Sequence, residues 1–245
     1  MPRFFIKTEN IKDEQIEILG EDVKHIKNVL RKEVGDQIEI CNSENGKTYK
    51  CEVEKIEEKR ILNKILQEIE EQENNAIVDI YQGIPKADKM ELIIQKSVEL
   101  GVNSIIPVEM KRCIAKIDSK DENKKIERWQ KIAESAAKQS GRTIIPKIQR
   151  KIKLQDIINL KKEYDKIIVC YENEQNNTLK SELIQLKNTK QPKIAILIGP
   201  EGGLEESEIE LLRENEAKIV TLGKNILRTE TVALNILSII MYEFN

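Results

Sequence analysis

A chain of 245 residues, 39% hydrophobic and 34% charged, is long enough for a small domain beside a medium-sized one and too polar to be built around membrane spans. No apolar run reaches bilayer length, and Met1 to Glu9 lacks the apolar core of a secretion signal, so a cytoplasmic protein without a membrane partner is expected. The formal net charge of −2 argues against a polyanion as partner, but the average hides an asymmetry: residues 1–72 carry 13 basic and 17 acidic side chains, whereas residues 111–153 carry 14 basic and 5 acidic.

The first seventy residues read as mostly β. Arg3–Lys7 is a short strand, Asp22–Arg31 a short helix, and Val34-Gly35-Asp36 a turn before the alternating stretch from Gln37 to Cys41. Asn45-Gly46 is a strong signal for a type I′ hairpin turn, because both central residues of that turn need positive φ. A strand over 48–56 follows, with one more near 61–69, and the whole suggests a compact barrel. The lone histidine, His25, is expected to be structural. Cys41, Cys51, Cys113 and Cys170 are scattered in or beside apolar runs without a CxxC pair, as buried free thiols are, so no metal site is expected.

Residues 70–75 are polar and read as a linker, giving domains over 1–72 and 73–245. After it the rhythm becomes α/β: strands over 76–82, 104–108, 166–171, 193–198 and 218–222 alternate with helices over 88–100, 123–140, 179–186, 205–215 and 229–242. Such alternation implies a mostly parallel sheet covered on both faces, with the continuous apolar runs 167–169 and 194–198 at its centre.

Helix 123–140 has two faces. Ile126, Trp129, Ala133, Ala136 and Ser140 share the side expected to pack on the sheet. Lys124, Arg128, Lys131, Ser135, Lys138 and, beyond the helix end, Arg142 follow the same rhythm on another side, a ridge suited to a phosphate backbone. Gln139 sits near its end.

Two glycine-bearing loops follow buried strands: Gly199-Pro200-Glu201-Gly202-Gly203, and Leu222-Gly223 running through Ile226, Leu227 and Arg228 to Thr229-Glu230-Thr231. Ligands of open α/β sheets bind beyond the carboxyl ends of the strands. Glycines admit a ligand close to the backbone, and Ile198, Leu222, Ile226 and Leu227 are apolar enough to sandwich a base. Neither loop carries the dinucleotide fingerprint or a Gly-Lys-Ser/Thr phosphate loop, so the residues themselves reach only to a nucleotide-like ligand.

The two loops together closely resemble the RsmE family, bacterial 16S rRNA (uracil-N3)-methyltransferases of the SPOUT superfamily. The resemblance runs through nearly the whole chain. It takes in Pro2-Arg3-Phe4-Phe5, His25 with Val29-Leu30-Arg31, Gly35-Asp36, Pro85-Lys86-x-Asp88-Lys89-Met90-Glu91, Gln95-Lys96, Glu99-Leu100-Gly101-Val102, Arg128-Trp129, Ala136-Ala137-x-Gln139-Ser140-Gly141-Arg142 and Pro146. Val232 stands where the family usually has Ala, and Glu205 where Ser is common, which implies a less well capped helix start.

The resemblance implies an α/β fold: a knotted (trefoil) SPOUT methyltransferase domain preceded by a small PUA-like β-barrel that recognises RNA. It implies a homodimer that binds S-adenosyl-L-methionine and methylates a uridine in the decoding region of 16S rRNA within a small-subunit particle. The cofactor contacts it implies are Glu172, Ile198, Gly199, Pro200, Glu201, Gly202, Gly203, Leu222, Gly223, Ile226, Leu227, Arg228 and Thr231. The RNA contacts are Arg3, Lys124, Arg128, Lys131, Lys138, Gln139 and Arg142. Neutral uracil is a poor nucleophile at N3 and must lose a proton, so the reaction needs a base, or a cation that stabilises the uracil anion. Arg228 is the first candidate for that cation, with Arg142 or Arg3 as alternatives, and Glu230 or Glu201 is expected to orient Arg228. No residue stands out as the base. The competing reading is a non-catalytic RNA-binding assembly factor of the same fold, and a third is a methyltransferase acting on tRNA.

Overall fold

The computed structural model describes residues 3–70 and 75–244, so the linker expected over 70–75 lies mostly outside the described residues. The chain forms two compact units, one of Met1–Glu73 with Ala137–Ile145, the other of Asn74–Ala136 with Pro146–Asn245.

The first unit is a six-stranded sheet of β1 (Arg3–Ile6), β2 (Ile11–Lys12), β3 (Gln15–Leu19), β4 (Gln37–Asn42), β5 (Thr48–Ile56) and β6 (Arg60–Ile69), in the order β1-β4-β5-β6-β3-β2. Among the described residues of this unit only β1 and β4 pair in parallel. Period-two alternation puts Ile16, Ile18, Ile38, Ile40, Val53 and Ile61 on one buried side with Phe4. β2 and β3 were not expected. Their hairpin turns at Asp13, which adopts a left-handed φ of 53° in a stretch that reads as polar loop.

Two local expectations need correction. The hairpin between β4 and β5 is a five-residue loop in which only Gly46 has positive φ (74°), and the Gly46 amide donates to the Asn42 carbonyl at 2.9 Å. The Asn42 carboxamide organises it by accepting from Glu44 N at 3.0 Å, so the turn is not type I′. The helix expected over Asp22–Arg31 is α1 (Glu21–Lys24) followed by a wider π-type turn over His25–Val29 that ends before Arg31 at φ 50°. Ile26 is the only buried residue of that turn, so packing does not hold it to α-helical pitch. His25 is exposed, edge-on to Phe4 with ring centroids 6.1 Å apart. Residues 137–145 belong to this unit through Arg3, whose Nη1 donates to the Gly141 carbonyl at 2.6 Å, and through Lys138, which pairs with Asp22 at 3.1 Å.

The second unit is an all-parallel sheet of β7 (Ile77–Gly83), β8 (Ser104–Glu109), β9 (Lys147–Ile148), β10 (Ile152–Lys153), β11 (Lys166–Cys170), β12 (Lys193–Ile198) and β13 (Lys218–Val220). The order is β10-β8-β7-β12-β11-β13, with β9 also on β8. The apolar runs in β11 and β12 are central, as continuous burial requires. The helices are α2 (Lys89–Glu99), α3 (Ser119–Ser140), α4 (Leu154–Asn159), α5 (Leu179–Ile184), α6 (Glu206–Glu214) and α7 (Thr229–Phe244).

Gly101 stops α2 as expected, with φ 87° and the Val102 amide reaching back to Ser97 O at 3.0 Å. Helix α3 starts four residues before the expected 123, and Asp118 O accepts from the Asp121 and Glu122 amides. Trp129, Ala133 and Ala136 are buried as expected, but Ala137 takes the place assigned to Ser140, which is exposed. Strand β13 ends at Val220, short of 222, because Thr221 turns to bridge Thr178. The short elements β9, β10 and α4 have no counterpart among the expected elements, since pieces of two and six residues leave no periodic trace. Cys41, Cys51 and Cys170 are buried free thiols, with burial pushing Cys51 and Cys170 up to about 12. No described helix is long and apolar enough to cross a membrane.

Near the amino end of β7, the buried Asp79 carboxylate accepts from Asn103 Nδ2 and Ser104 Oγ, each at 2.7 Å, and from Tyr164 Oη at 2.8 Å. Burial, Tyr81 and Asp79 hold the Tyr164 phenol well above its ordinary range, so it stays a donor. Removing it in Tyr164→Phe leaves a buried carboxylate short of one bond. It is expected to lower stability by about 1–3 kcal/mol, read as a lower urea midpoint at unchanged slope. An unchanged midpoint would contradict this account.

Candidate functional site

Because every strand of the second unit is parallel, all the loops that follow them gather at one edge. There the loops after β11, β12 and β13 and the first turn of α7 enclose a cavity of about 390 Å³, within the usual range for a small-molecule site. One wall is apolar, from Ile198, Leu204, Leu222, Ile226 and Leu227. Glu172 supplies a carboxylate to the lining.

Glycine is required here by close approach. A Cβ on Gly203, at φ 68°, would lie 2.5 Å from Glu172 Oε1, and one on Gly199 would lie 3.2 Å from the Gly203 carbonyl carbon. Gly83, at the end of β7, lets Pro200 settle on the strand: its Cβ would come within 2.6 Å of Pro200 N. Gly202 faces the other way, with Arg112 packed on it and Arg112 Nη1 donating to its carbonyl at 3.0 Å.

Two polar junctions hold the loops. The buried Gln82 donates through Nε2 to Thr229 Oγ1 at 2.9 Å, and that hydroxyl donates to Gly199 O at 2.7 Å. This joins β7, the loop after β12 and α7. At the cavity rim Lys89 Nζ lies 3.3 Å from both Glu201 Oε1 and Glu230 Oε2, and the Lys86 amide also donates to Glu201 at 3.0 Å. Burial works against Glu201, yet its own amide, the Lys86 amide and Lys89 hold its pKa below the ordinary carboxylate value. Burial likewise opposes the Lys89 ammonium, but Glu201 and Glu230 hold it above its ordinary value. The contribution of the lowered Glu201 pKa is present above the ordinary carboxylate value and is lost as pH falls through the lowered one.

Of the residues expected at the cofactor, Glu172, Ile198, Gly199, Pro200, Glu201, Gly203, Leu222, Gly223, Ile226, Leu227 and Arg228 line the cavity. Gly202 and Thr231 do not. Gly202 is turned against Arg112, and Thr231 is exposed on the first turn of α7, where its amide caps onto Arg228 O at 2.8 Å. Arg228 is exposed at the rim, and the expectation that Glu230 or Glu201 orients it is corrected: both carboxylates belong to Lys89. The expected weak cap at Glu205 is compensated by Glu208, whose carboxylate accepts from Glu205 N at 2.9 Å and from Lys111 N at 2.9 Å.

The expected RNA ridge is partly spent on internal pairs. Arg128 binds Glu91 at 2.5 Å, Lys138 binds Asp22, and Arg3 binds Glu39 at 3.1 Å. Burial lowers the Arg142 guanidinium to about 10, which still leaves it cationic at neutral pH. Lys124, Lys131 and Gln139 remain exposed on α3. Sequence reasoning missed Lys89, Tyr171, Thr221 and Thr229 on the cavity wall. Lys89 and Thr229 stand inside quoted motifs, but nothing local shows that α2 reaches the loops. Among the described residues no group of three His, Cys, Asp or Glu side chains is arranged to hold a metal.

The family model for an RNA methyltransferase domain matches residues 71–241, and that for an RNA methyltransferase PUA domain matches residues 18–66. The curated ribosomal RNA small subunit methyltransferase E of Bacillus subtilis is 39% identical, with 99% of this chain and 97% of that protein covered. The chain belongs to the ribosomal RNA small subunit methyltransferase E family. Its member from Mesomycoplasma hyopneumoniae is 34% identical over 97% of this chain and 98% of its own. A crystal structure of the Neisseria gonorrhoeae member bound to S-adenosyl methionine superposes with a TM-score of 0.84 at 31% identity, covering 99% of this chain and 97% of that one. The fold is therefore the α/β methyltransferase fold of this family with an N-terminal PUA domain.

The contact of Pro200 on Gly83 tests how the family's loop is seated. Gly83→Ala forces Pro200 off the strand and is expected to cost about 1–3 kcal/mol of stability, measured by chemical denaturation. A variant as stable as the parent would show that the loop is not held there.

Proposed function

We propose that this chain transfers a methyl group from S-adenosylmethionine to N3 of a uridine in small-subunit ribosomal RNA. The observation that carries the reading is the cavity itself, in a chain that belongs to this family. It has the volume for a nucleoside joined to an amino acid, apolar walls for a base, and loop backbone brought close by Gly199 and Gly203. Glu172 offers a carboxylate to a cationic ligand. On these features the residues present fit S-adenosylmethionine. When bound, that cofactor supplies an electrophilic methyl group on a sulfonium.

The protein's own residues have three tasks. Ile198, Leu222 and Leu227 hold the base and exclude water. Gly199 and Gly203 keep the backbone close to the ligand, so that positioning lowers the barrier. Arg228, exposed at the rim, is the cation for the oxygen that gains charge as the N3 proton leaves. N3 lies on the pairing edge, so the uridine must be unpaired to enter.

The same reading divides the chain into an RNA-recognising barrel over 1–72 and a methyltransferase domain over 73–245, in a cytoplasmic homodimer that acts on a small-subunit particle. A trefoil knot fits the path of the chain: it leaves the edge strand β13, yet α7 starts beside Gly199 and Gln82 at the centre of the sheet. The dimer reading is supported by exposed apolar side chains on the packed pair α2 and α7, with Leu92 at 44% and Tyr242 at 86% exposure.

Two measurements test the function. Calorimetric titration with S-adenosylhomocysteine should show saturable binding; none at millimolar ligand would favour a non-catalytic assembly factor. Mass spectrometry of RNA from a deletion strain should show loss of N3-methyluridine from 16S rRNA; retention there would exclude the assignment. Arg228→Ala is expected to lower turnover on the order of a hundredfold while changing S-adenosylhomocysteine affinity little. Equal losses would make Arg228 a cofactor-binding residue.

A further inference from the structure

Two loops at the carboxyl edge of the parallel sheet repeat one pattern. Arg112-Cys113-Ile114-Ala115-Lys116 follows β8, and Lys224-Asn225-Ile226-Leu227-Arg228 follows β13. In each, two cations stand four residues apart around an isoleucine, with no acidic residue between them. All four cations are exposed, and the isoleucines are among the most exposed large apolar side chains described, Ile114 at 70% and Ile226 at 83%. Side chains this exposed bury little apolar area and so contribute little to the fold.

The placement of the two segments is set by topology. β8 and β13 are four strand positions apart in the sheet, roughly 20 Å at about 4.8 Å per step. The strands that end between them carry the loops of the cavity. Arg112 fastens the first segment to the cavity loop: one of its donors is spent on Gly202 O at 3.0 Å, leaving the rest of the guanidinium for a ligand. On α3, by contrast, Arg128 is already paired with Glu91 and Lys138 with Asp22.

We propose that these two segments are the lips of an RNA cleft across the cavity mouth. Arg112, Lys116 and Lys224 hold phosphates on either side of the target nucleotide. Ile114 and Ile226 occupy the stacking space left when the target base turns into the cavity. The inference rests on the reading of the chain as an RNA-modifying enzyme. Cations alone would suit an acidic protein equally well. Apolar tips between them, flanking a cavity that must receive an unstacked base, suit RNA.

The test is equilibrium binding of the full chain to small-subunit ribosomal particles that lack the methyl group, over a salt series. Replacing Arg112, Lys116 and Lys224 together by Ala should lower the slope of log affinity against log salt by about 2, at ~0.7 per lost contact to single-stranded RNA. Ile114→Ser with Ile226→Ser should weaken binding on the order of tenfold at every salt concentration and leave the slope unchanged. S-adenosylhomocysteine affinity in Lys116→Ala and in Ile114→Ser should stay within about twofold of the parent. A triple-alanine protein with the parent slope overturns the proposal. If the parent methylates the RNA while the variants bind as it does, the lips are wrong and the enzyme reading stands. If the slopes change as stated but the parent transfers no methyl group, the enzyme reading fails and the lips stand.

Discussion

Thr229 Oγ1 accepts from Gln82 and donates to Gly199, and through that one atom the end of β7, the loop after β12 and the first turn of α7 are fixed to each other. Each segment has a separate local reason for its shape: β12 is a buried parallel strand, Gly199 and Gly203 admit a tight loop, and Arg228 O caps α7. None of those reasons brings the segments to one place. With both hydroxyl partners buried or nearly so, the junction is worth more than an exposed bond and is costly to leave half made. Lys89 does the same for charges at the rim, holding Glu201 and Glu230 with one ammonium from α2.

This division explains what the sequence could show. The order of strands and helices in the second unit was legible because buried parallel strands and amphipathic helices leave a periodic trace. The glycine loops were legible as a ligand site because Gly199 and Gly203 are needed for close approach. The pairing of Lys89 with Glu201 joins residues more than a hundred positions apart, and no spacing rule reaches that far. Arg228 looked like the natural mate of Glu230 for the opposite reason: neighbours in sequence are easy to pair by eye. In the first unit, β2 and β3 were hidden by the polar residues of their hairpin, and the helix after Gly20 widened into a π-type turn that few buried side chains restrain. Residue identity alone also could not separate Gly202, which serves Arg112, from its neighbour Gly203, which serves the cavity.

Charge shows the same limit. Counting cations along α3 gives a continuous ridge, but two of those cations already face a carboxylate. Arg128 and Lys138 are those two, whereas the cations of the loops after β8 and β13 face outward. A basic segment of sequence therefore becomes a surface only after the fold has assigned its ion pairs. On the proposed reading, the mouth of the cavity joins the exposed cations of α3 as a place for RNA contacts.

The central claim is that the cavity keeps its shape because Thr229 ties the loop after β12 and the first turn of α7 to the end of β7. Thr229→Val keeps the shape of the side chain and removes the hydroxyl, so the most direct measurement is the S-adenosylhomocysteine dissociation constant of this variant by calorimetry, beside its circular dichroism spectrum. The account predicts a dissociation constant raised at least about tenfold, about 1.4 kcal/mol, with helix and strand content retained. An unchanged dissociation constant in a folded variant would contradict it.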